Sequence, residues 1–234
     1  MPVFQFKKFS VCDNRATMKV GTDAVVLGAW TDIVNVTTIL DIGTGSGVIA
    51  LMLAQRTNEH VSIDAIELLK EDSQQAIENV LNSFWPKKIL VMNITLQQFH
   101  PETKYDLIVC NPPYFTKSLL PPTQERSNAR HGTQLTFDEL ITAAIDLIQP
   151  EGKLSVILPA IEADTFITKA SSKKFYLNRL TRFFSKVEKN QERSLMEFSL
   201  TARTFREDSL VLYQSENRWT EDYCRLTGDF YLDR

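Results

Sequence analysis

The sequence predicts an α/β fold built on a mainly parallel sheet that finishes in antiparallel strands. Three observations carry this. Short apolar runs alternate with amphipathic stretches through the first two thirds of the chain, the pattern of repeated βαβ units. A glycine-rich turn, Asp41-Ile42-Gly43-Thr44-Gly45-Ser46-Gly47, follows the first of those runs. Three β-like runs then close the chain with no helix between them.

In order, Thr37 to Asp41 reads as a buried strand and Val48 to Arg56 as the helix after the glycine turn. Val61 to Ile66 is the second strand. From Glu71 to Phe84, apolar Ala76, Ile77, Val80, Leu81 and Phe84 mark one face of a helix. Ile89 to Met92 and Tyr105 to Cys110 are the third and fourth strands. Phe137 to Ile148 is a helix stopped by Pro150 and Gly152, Lys153 to Leu158 a fifth strand, and Ile161 to Ala170 a further helix. The closing runs are Phe175 to Phe184, Leu195 to Thr204 and Ser209 to Tyr213. Near the start, Phe4, Phe6 and Phe9 alternate with polar residues and read as an edge strand rather than a base-stacking platform. Phe115 to Gln134 and the tail from Ser215 lack regular signals, and a loop of about twenty residues in a compact domain is often functional.

The 234 residues fit a single domain, with 1–36 as an extension, 37–160 as the ligand-binding core and 161–234 as the closing strands and tail. Hydrophobic residues at 43% and charged residues at 24% are ordinary globular usage. No apolar run approaches the ~20 residues that span a bilayer, and the first residues do not read as a signal peptide. A cytoplasmic protein without membrane attachment is expected. Cys12, Cys110 and Cys224 are too far apart for zinc-ligand or disulfide spacing, so no metal is expected.

The formal net charge of −3 counts mildly against a nucleic-acid partner, because phosphate contacts require cations. Any such contacts must come from local groups: Lys7/Lys8, Arg15/Lys19, Arg126/Arg130/His131, Lys173/Lys174/Arg179/Arg182 or Lys186/Lys189/Arg193. Scattered solvated charge is the plainer reading of any one of these.

A G-x-G-x-G turn by itself either binds a nucleotide or turns a corner. Two acids sharpen it. Asp41 ends the strand before the glycines, and Glu67 closes the next strand, where a carboxylate can accept ribose hydroxyls. The turn lacks the G-x-G-x-x-G spacing of dinucleotide binders.

Asn111-Pro112-Pro113-Tyr114, after the fourth strand, is the most specific feature. Paired prolines hold the backbone extended and leave carbonyls pointing outward. An exocyclic amine is a poor nucleophile because its lone pair is delocalised. Acceptors at the Asn111 side chain and the Pro112 carbonyl can take its two N–H groups and localise that lone pair. Such bonds strengthen as positive charge builds on nitrogen. Tyr114 can stack on a planar base. The alternative is a Pro-Pro turn that merely caps a strand.

The Asp41 to Gly47 pattern resembles the S-adenosylmethionine (SAM) turn of the class I methyltransferases, whose Rossmann-like fold carries a seven-stranded sheet. That resemblance implies that Gly43 and Gly45 lie against the methionine part of SAM, that Glu67 holds the ribose, and that Asp41, Gly47 and Asn111 complete the cofactor site. Asn93 stands where many relatives have an Asp facing the adenine amino group, and an amide oxygen can still accept that bond. Phe4-Gln5-Phe6-Lys7-Lys8-Phe9, Met18 to Trp30, Asn111 to Phe115, Arg126 to His131, Trp219 to Tyr223 and Asp229 to Leu232 together resemble the bacterial tRNA1(Val) adenine-37 N6-methyltransferase family. Membership implies a tRNA substrate, with Lys19, Thr22 and Asp23 lining the cofactor pocket and Arg126, Arg130 and His131 touching phosphates beside Tyr114 and Phe115. Thr22 or Asp23 also reads as a helix cap. The same tetrapeptide serves enzymes acting on a protein glutamine amide; those carry an extra helical domain ahead of the glycine turn, where about forty residues stand here. An rRNA guanine N2 methyltransferase and a SAM- and RNA-binding module without catalysis are the other readings, and oligomeric state is not set by any of these features.

Overall fold

The computed structural model describes residues 3–112, 135–214 and 216–232. A small antiparallel pair, β1 (Val3–Gln5) and β2 (Ser10–Cys12), precedes α1 (Thr22–Trp30). The core then alternates β3 (Thr38–Ile42), α2 (Val48–Arg56), β4 (Ser62–Glu67), α3 (Lys70–Leu81), β5 (Ile89–Asn93) and β6 (Tyr105–Cys110). After it come α4 (Phe137–Leu147), β7 (Ile148–Pro159), α5 (Ala160–Ser172), β8 (Tyr176–Lys186), β9 (Arg193–Ser199), β10 (Arg206–Tyr213) and α6 (Glu221–Thr227).

The main sheet runs β10-β8-β9-β7-β6-β3-β4-β5. It has eight strands where seven were expected, β10 being added at one edge. β9 pairs antiparallel with both β7 and β8, whereas β10 runs parallel to β8. Among these strands β9 alone is therefore reversed, so the antiparallel finish reduces to one strand. β8 and β10 point the same way as the core, and their carboxyl ends emerge on the same rim.

Each face of the sheet carries its own core. One gathers α1, α2, the β1–β2 pair and the C-terminal segment around Leu51, Met52 and Leu53. The other gathers α4 and α5 around Phe166, Phe175 and Phe198. α1 is apolar almost all round and buried from Ala24 to Trp30, as a helix between other layers must be. Gly28 lets it approach α2, since an added Cβ would lie 2.9 Å from the Met52 sulfur. The expected edge strand of Phe4, Phe6 and Phe9 is instead the β1–β2 pair, with Phe6 and Phe9 buried. The tail is ordered through Phe230, whose carbonyl accepts from the Lys7 amide at 2.7 Å, and through α6.

α3 corrects the sequence reading of its face. Its buried residues are Asp72, Ser73, Gln75, Ala76, Asn79 and Val80, while Ile77 and Leu81 point outward and Phe84, beyond the helix, is 81% exposed. Polar positions are buried because the chain between β2 and α1 lies on them. Thr17 donates its amide and hydroxyl to Asp72, and the Cys12 amide and carbonyl bond the Asn79 side chain at 2.9 and 2.7 Å.

β7 begins with a bulge: Tyr105 faces Ile148, but Leu107 faces Lys153. Gly152 sits inside that irregularity, where a Cβ would come within 2.8 Å of the Tyr105 carbonyl oxygen and 2.7 Å of Ile148. Gly152→Ala is expected to destabilise the protein by about 1–3 kcal/mol, the cost of overpacking against backbone. Urea denaturation followed by circular dichroism measures it, and an unchanged midpoint would contradict this account.

Candidate active site

The parallel register of four strands builds the site. Asn93 of β5 faces Glu67 of β4, and Ile66 faces Ile42 of β3, which faces Cys110 of β6. One residue beyond the last pair stand Gly43 and Asn111. Asn93, Glu67, Gly43 and Asn111 therefore form a row along the carboxyl edge, three strand spacings or about 14 Å long. Open α/β sheets bind ligands at this edge.

The glycine turn folds back onto β4. The Gly43 and Thr44 amides donate to the Ile66 carbonyl at 2.9 and 3.1 Å. Gly43, Gly45 and Gly47 have φ of 70°, 55° and 83°, a region that L side chains rarely adopt. A Cβ on Gly43 or Gly45 would meet nothing within 4 Å, so both border open space suited to a ligand. At Gly47 it would lie 3.3 Å from the Ala76 side chain, so this glycine serves the approach of α3.

Glu67 is fixed by two backbone donors, Gly45 N–H on one carboxylate oxygen and Leu69 N–H on the other, each at 2.9 Å. A carboxylate has about four lone-pair sites, so two remain for a diol. Burial raises its pKa, which those two amides oppose. The Asn93 amide nitrogen donates to the carbonyls of Glu67 and Leu68, both at 2.9 Å. Both amide hydrogens are thereby used, and its oxygen is left as an acceptor. Leu68 and Leu69, 40% and 42% exposed, add apolar surface beside it.

Asp41 is wholly buried, accepts from the Thr44 hydroxyl at 2.6 Å, and leaves its other oxygen without a hydrogen-bond partner. Burial pushes its carboxyl up to about 7, with the Thr44 hydroxyl opposing and the neighbouring Glu67 adding to the rise. Asn111 has its side-chain oxygen buried and unpartnered, and Pro112 is buried beside it. An unmet buried acceptor costs about 1–3 kcal/mol, which a ligand donor would recover. Tyr114, Phe115, Arg126, Arg130 and His131 lie outside the described residues.

Asp23 reaches the same rim. It accepts from the Arg193 guanidinium at 2.8 Å, and Arg193 pairs with Pro159 at the carboxyl end of β7. Neither Thr22 nor Asp23 caps α1: the cap is Gly21, without a side-chain bond. Thr22 is half-buried, and the Lys19 ammonium is taken up by Asp13, its carbonyl lying 2.6 Å away. Of the basic groups, Arg15 pairs with Glu78, Arg182 with Glu207, and Arg179 lies 4.1 Å over the Trp30 ring. Lys173 and Lys174 sit at the opposite edge, where β8 begins.

Sequence reasoning missed Asn79. Its amide also donates to the Ser46 carbonyl at 2.8 Å, so one side chain joins the glycine turn to the chain leaving β2. The readable signal was an Asn at helical spacing from buried Ala76 and Val80.

Residues 21–193 match the model of the methyltransferase small domain. The chain belongs to that family. It is 40% identical to the tRNA1(Val) (adenine(37)-N6)-methyltransferase of Bacteroides fragilis, over 99% of this chain and 98% of that protein. It is 42% identical to the enzyme of the same name from Flavobacterium psychrophilum, over 98% and 99%. A crystal structure described as a predicted O-methyltransferase from Agrobacterium tumefaciens superposes with a TM-score of 0.71 at 18% identity, covering 89% of this chain and 96% of that one, a likeness of fold. The chain is thus a SAM-dependent class I methyltransferase, as expected, on a mostly parallel α/β sheet. No helix among the described residues is long and apolar enough to cross a membrane, and no group of metal-ligating side chains occurs among them.

Glu67→Ala is expected to weaken SAM binding at least tenfold, measured by calorimetry. Asp41 gives a pH signature. A carboxyl whose folded pKa is raised stabilises the fold fully below its unfolded value and loses that contribution as pH rises through the folded value. Asp41→Asn should therefore gain stability relative to the parent as pH rises from 5 to about 7, then hold that difference. Denaturation midpoints across that range check it; a constant difference would contradict the raised pKa.

Proposed function

We propose that this chain methylates N6 of an adenine in tRNA, adenine 37 of tRNA1(Val). The observation that carries the reading is the order along the carboxyl edge: an amide acceptor at Asn93, a two-pronged carboxylate at Glu67, open glycines at Gly43 and Gly45, and an unpartnered oxygen at Asn111. Adenine, ribose and methionine of the donor would lie along the first three in that order, bringing the methyl toward the fourth. The names of the full-length relatives support the substrate. A tRNA substrate places the protein in the cytoplasm.

SAM supplies an electrophilic methyl on a sulfonium. The side chains named here bind and orient. The Asn111 oxygen accepts one N–H of the adenine amino group, and the Pro112 carbonyl accepts the other, which turns the nitrogen lone pair toward the methyl. Positive charge that grows on the nitrogen during transfer would strengthen both contacts. The methylated nitrogen then loses a proton to water, so no strong general base is needed. Tyr114 is assigned to stack on the base. An anticodon-loop adenine is single-stranded and can be splayed out without breaking a pair.

Incubation with tRNA and labelled SAM should give N6-methyladenosine at the loop adenine. Label in guanine or protein would overturn the assignment. Asn111→Ala is expected to lower kcat by about 10²–10³, the cost of one transition-state acceptor. Unchanged turnover would remove Asn111 from the mechanism.

A further inference from the structure

Beyond the four-strand row, the rim continues through β7, β9, β8 and β10. There Phe4, Val20, Thr22, Tyr213, Trp219 and Tyr231 surround a cleft of about 240 Å³. Three separate parts of the chain meet at it: the β1–β2 pair, the start of α1, and the C-terminal segment. Their rings pack on one another around the opening, with Trp219 and Tyr231 centroids 4.9 Å apart and Phe4 and Tyr231 6.2 Å apart. Phe4, Tyr213, Trp219 and Tyr231 are half-buried, so the cleft is walled by aromatic surface that the core does not fully absorb.

The place of this cleft matters as much as its lining. Thr22 borders it, and the next residue, Asp23, is bonded to Arg193, which pairs with the end of β7. From Asn111 at the end of β6, β10 with its Tyr213 is four strand spacings away, about 19 Å. Tyr213 pairs in register with Lys186, which has no ion-pair partner among the described residues. An aromatic-walled cleft, its rings inclined to one another and a lysine on the neighbouring strand, suits a single-stranded nucleotide: a ring face takes the base and the ammonium takes a phosphate. The volume is below the roughly 300 Å³ at which pockets for drug-sized ligands begin and admits one ring system.

We propose that this cleft holds a second, unmodified nucleobase of the substrate loop, about three nucleotides from the target adenine, stacked against the aromatic wall formed by Phe4, Tyr213, Trp219 and Tyr231. The assignment rests on the tRNA reading above. It gives the segments Phe4 to Phe9 and Trp219 to Leu232 a shared role: they build a substrate subsite without entering the methyl-transfer site.

The test uses the full chain, a synthetic anticodon stem-loop with an abasic site at one loop position at a time, and fluorescence anisotropy. Stacking is worth about 1–3 kcal/mol per base, so one abasic position near the target should weaken binding roughly tenfold. Trp219→Ala should weaken binding of the intact loop by a similar factor and make that abasic position cost nothing further. Trp219→Phe should restore most of the affinity, and the SAM dissociation constant should not move in either variant. Additive losses in the variant, an unaltered affinity in Trp219→Ala, or SAM affinity falling in parallel would each overturn the cleft assignment. Methyl transfer by the unaltered enzyme to the intact loop is read separately. Its absence would sink the proposed function and the cleft with it, whereas transfer accompanied by additive losses sinks the cleft alone.

Discussion

The in-register pairing of β5, β4, β3 and β6 is the constraint on which everything else depends. Parallel strands end together, so a one-residue step beyond the last ladder pair puts Asn93, Glu67, Gly43 and Asn111 on one line. A slip of one residue in any strand would turn its terminal side chain to the opposite face. The buried Ile, Leu and Val residues of these strands hold the register from below. Glu67 then holds it from above, because its carboxylate ties the turn after β3 to the residue after β4.

Much of this was legible in the sequence. α2 and β6 begin and end where the apolar runs do, since a glycine turn and a Pro-Pro pair punctuate them sharply. The glycine turn and Asn111 were each legible as following a strand, and the pairing of β3 with β6 makes them adjacent. The α3 face was not legible from apolar spacing. Asp72 and Asn79 are buried there by long-range partners at Thr17 and Cys12, and local periodicity carries no trace of a chain segment more than fifty residues away. The direction of β10 was hidden for a related reason. A β-like run states that a strand exists, and its orientation is decided by the connection between Ser199 and Arg206.

The candidate site shows the same division. Glycines, acids and the Asn-Pro-Pro-Tyr run have chemical types that speak for themselves. The roles of Lys19 and Asp23 depend on which partner reaches them first, Asp13 for one and Arg193 for the other. Asn79 shows how a helix-interior polar residue braces the glycine turn of the candidate site. It satisfies Cys12 and Ser46 together, so the conformation of the glycine turn and the path of the chain before α1 are set jointly.

The reversal of β9 has a consequence for how such an enzyme can change. By turning one strand around, the chain brings the β8–β9 turn, the end of β10 and the start of α1 onto the rim that also carries the donor row. Surface is thereby added beside that row as outer strands and terminal segments on the existing sheet. The inner half of the rim is tied down by a shared ladder, while the outer half is assembled from separate chain segments. Side chains can change in that outer half while the shared ladder of the inner half stays put.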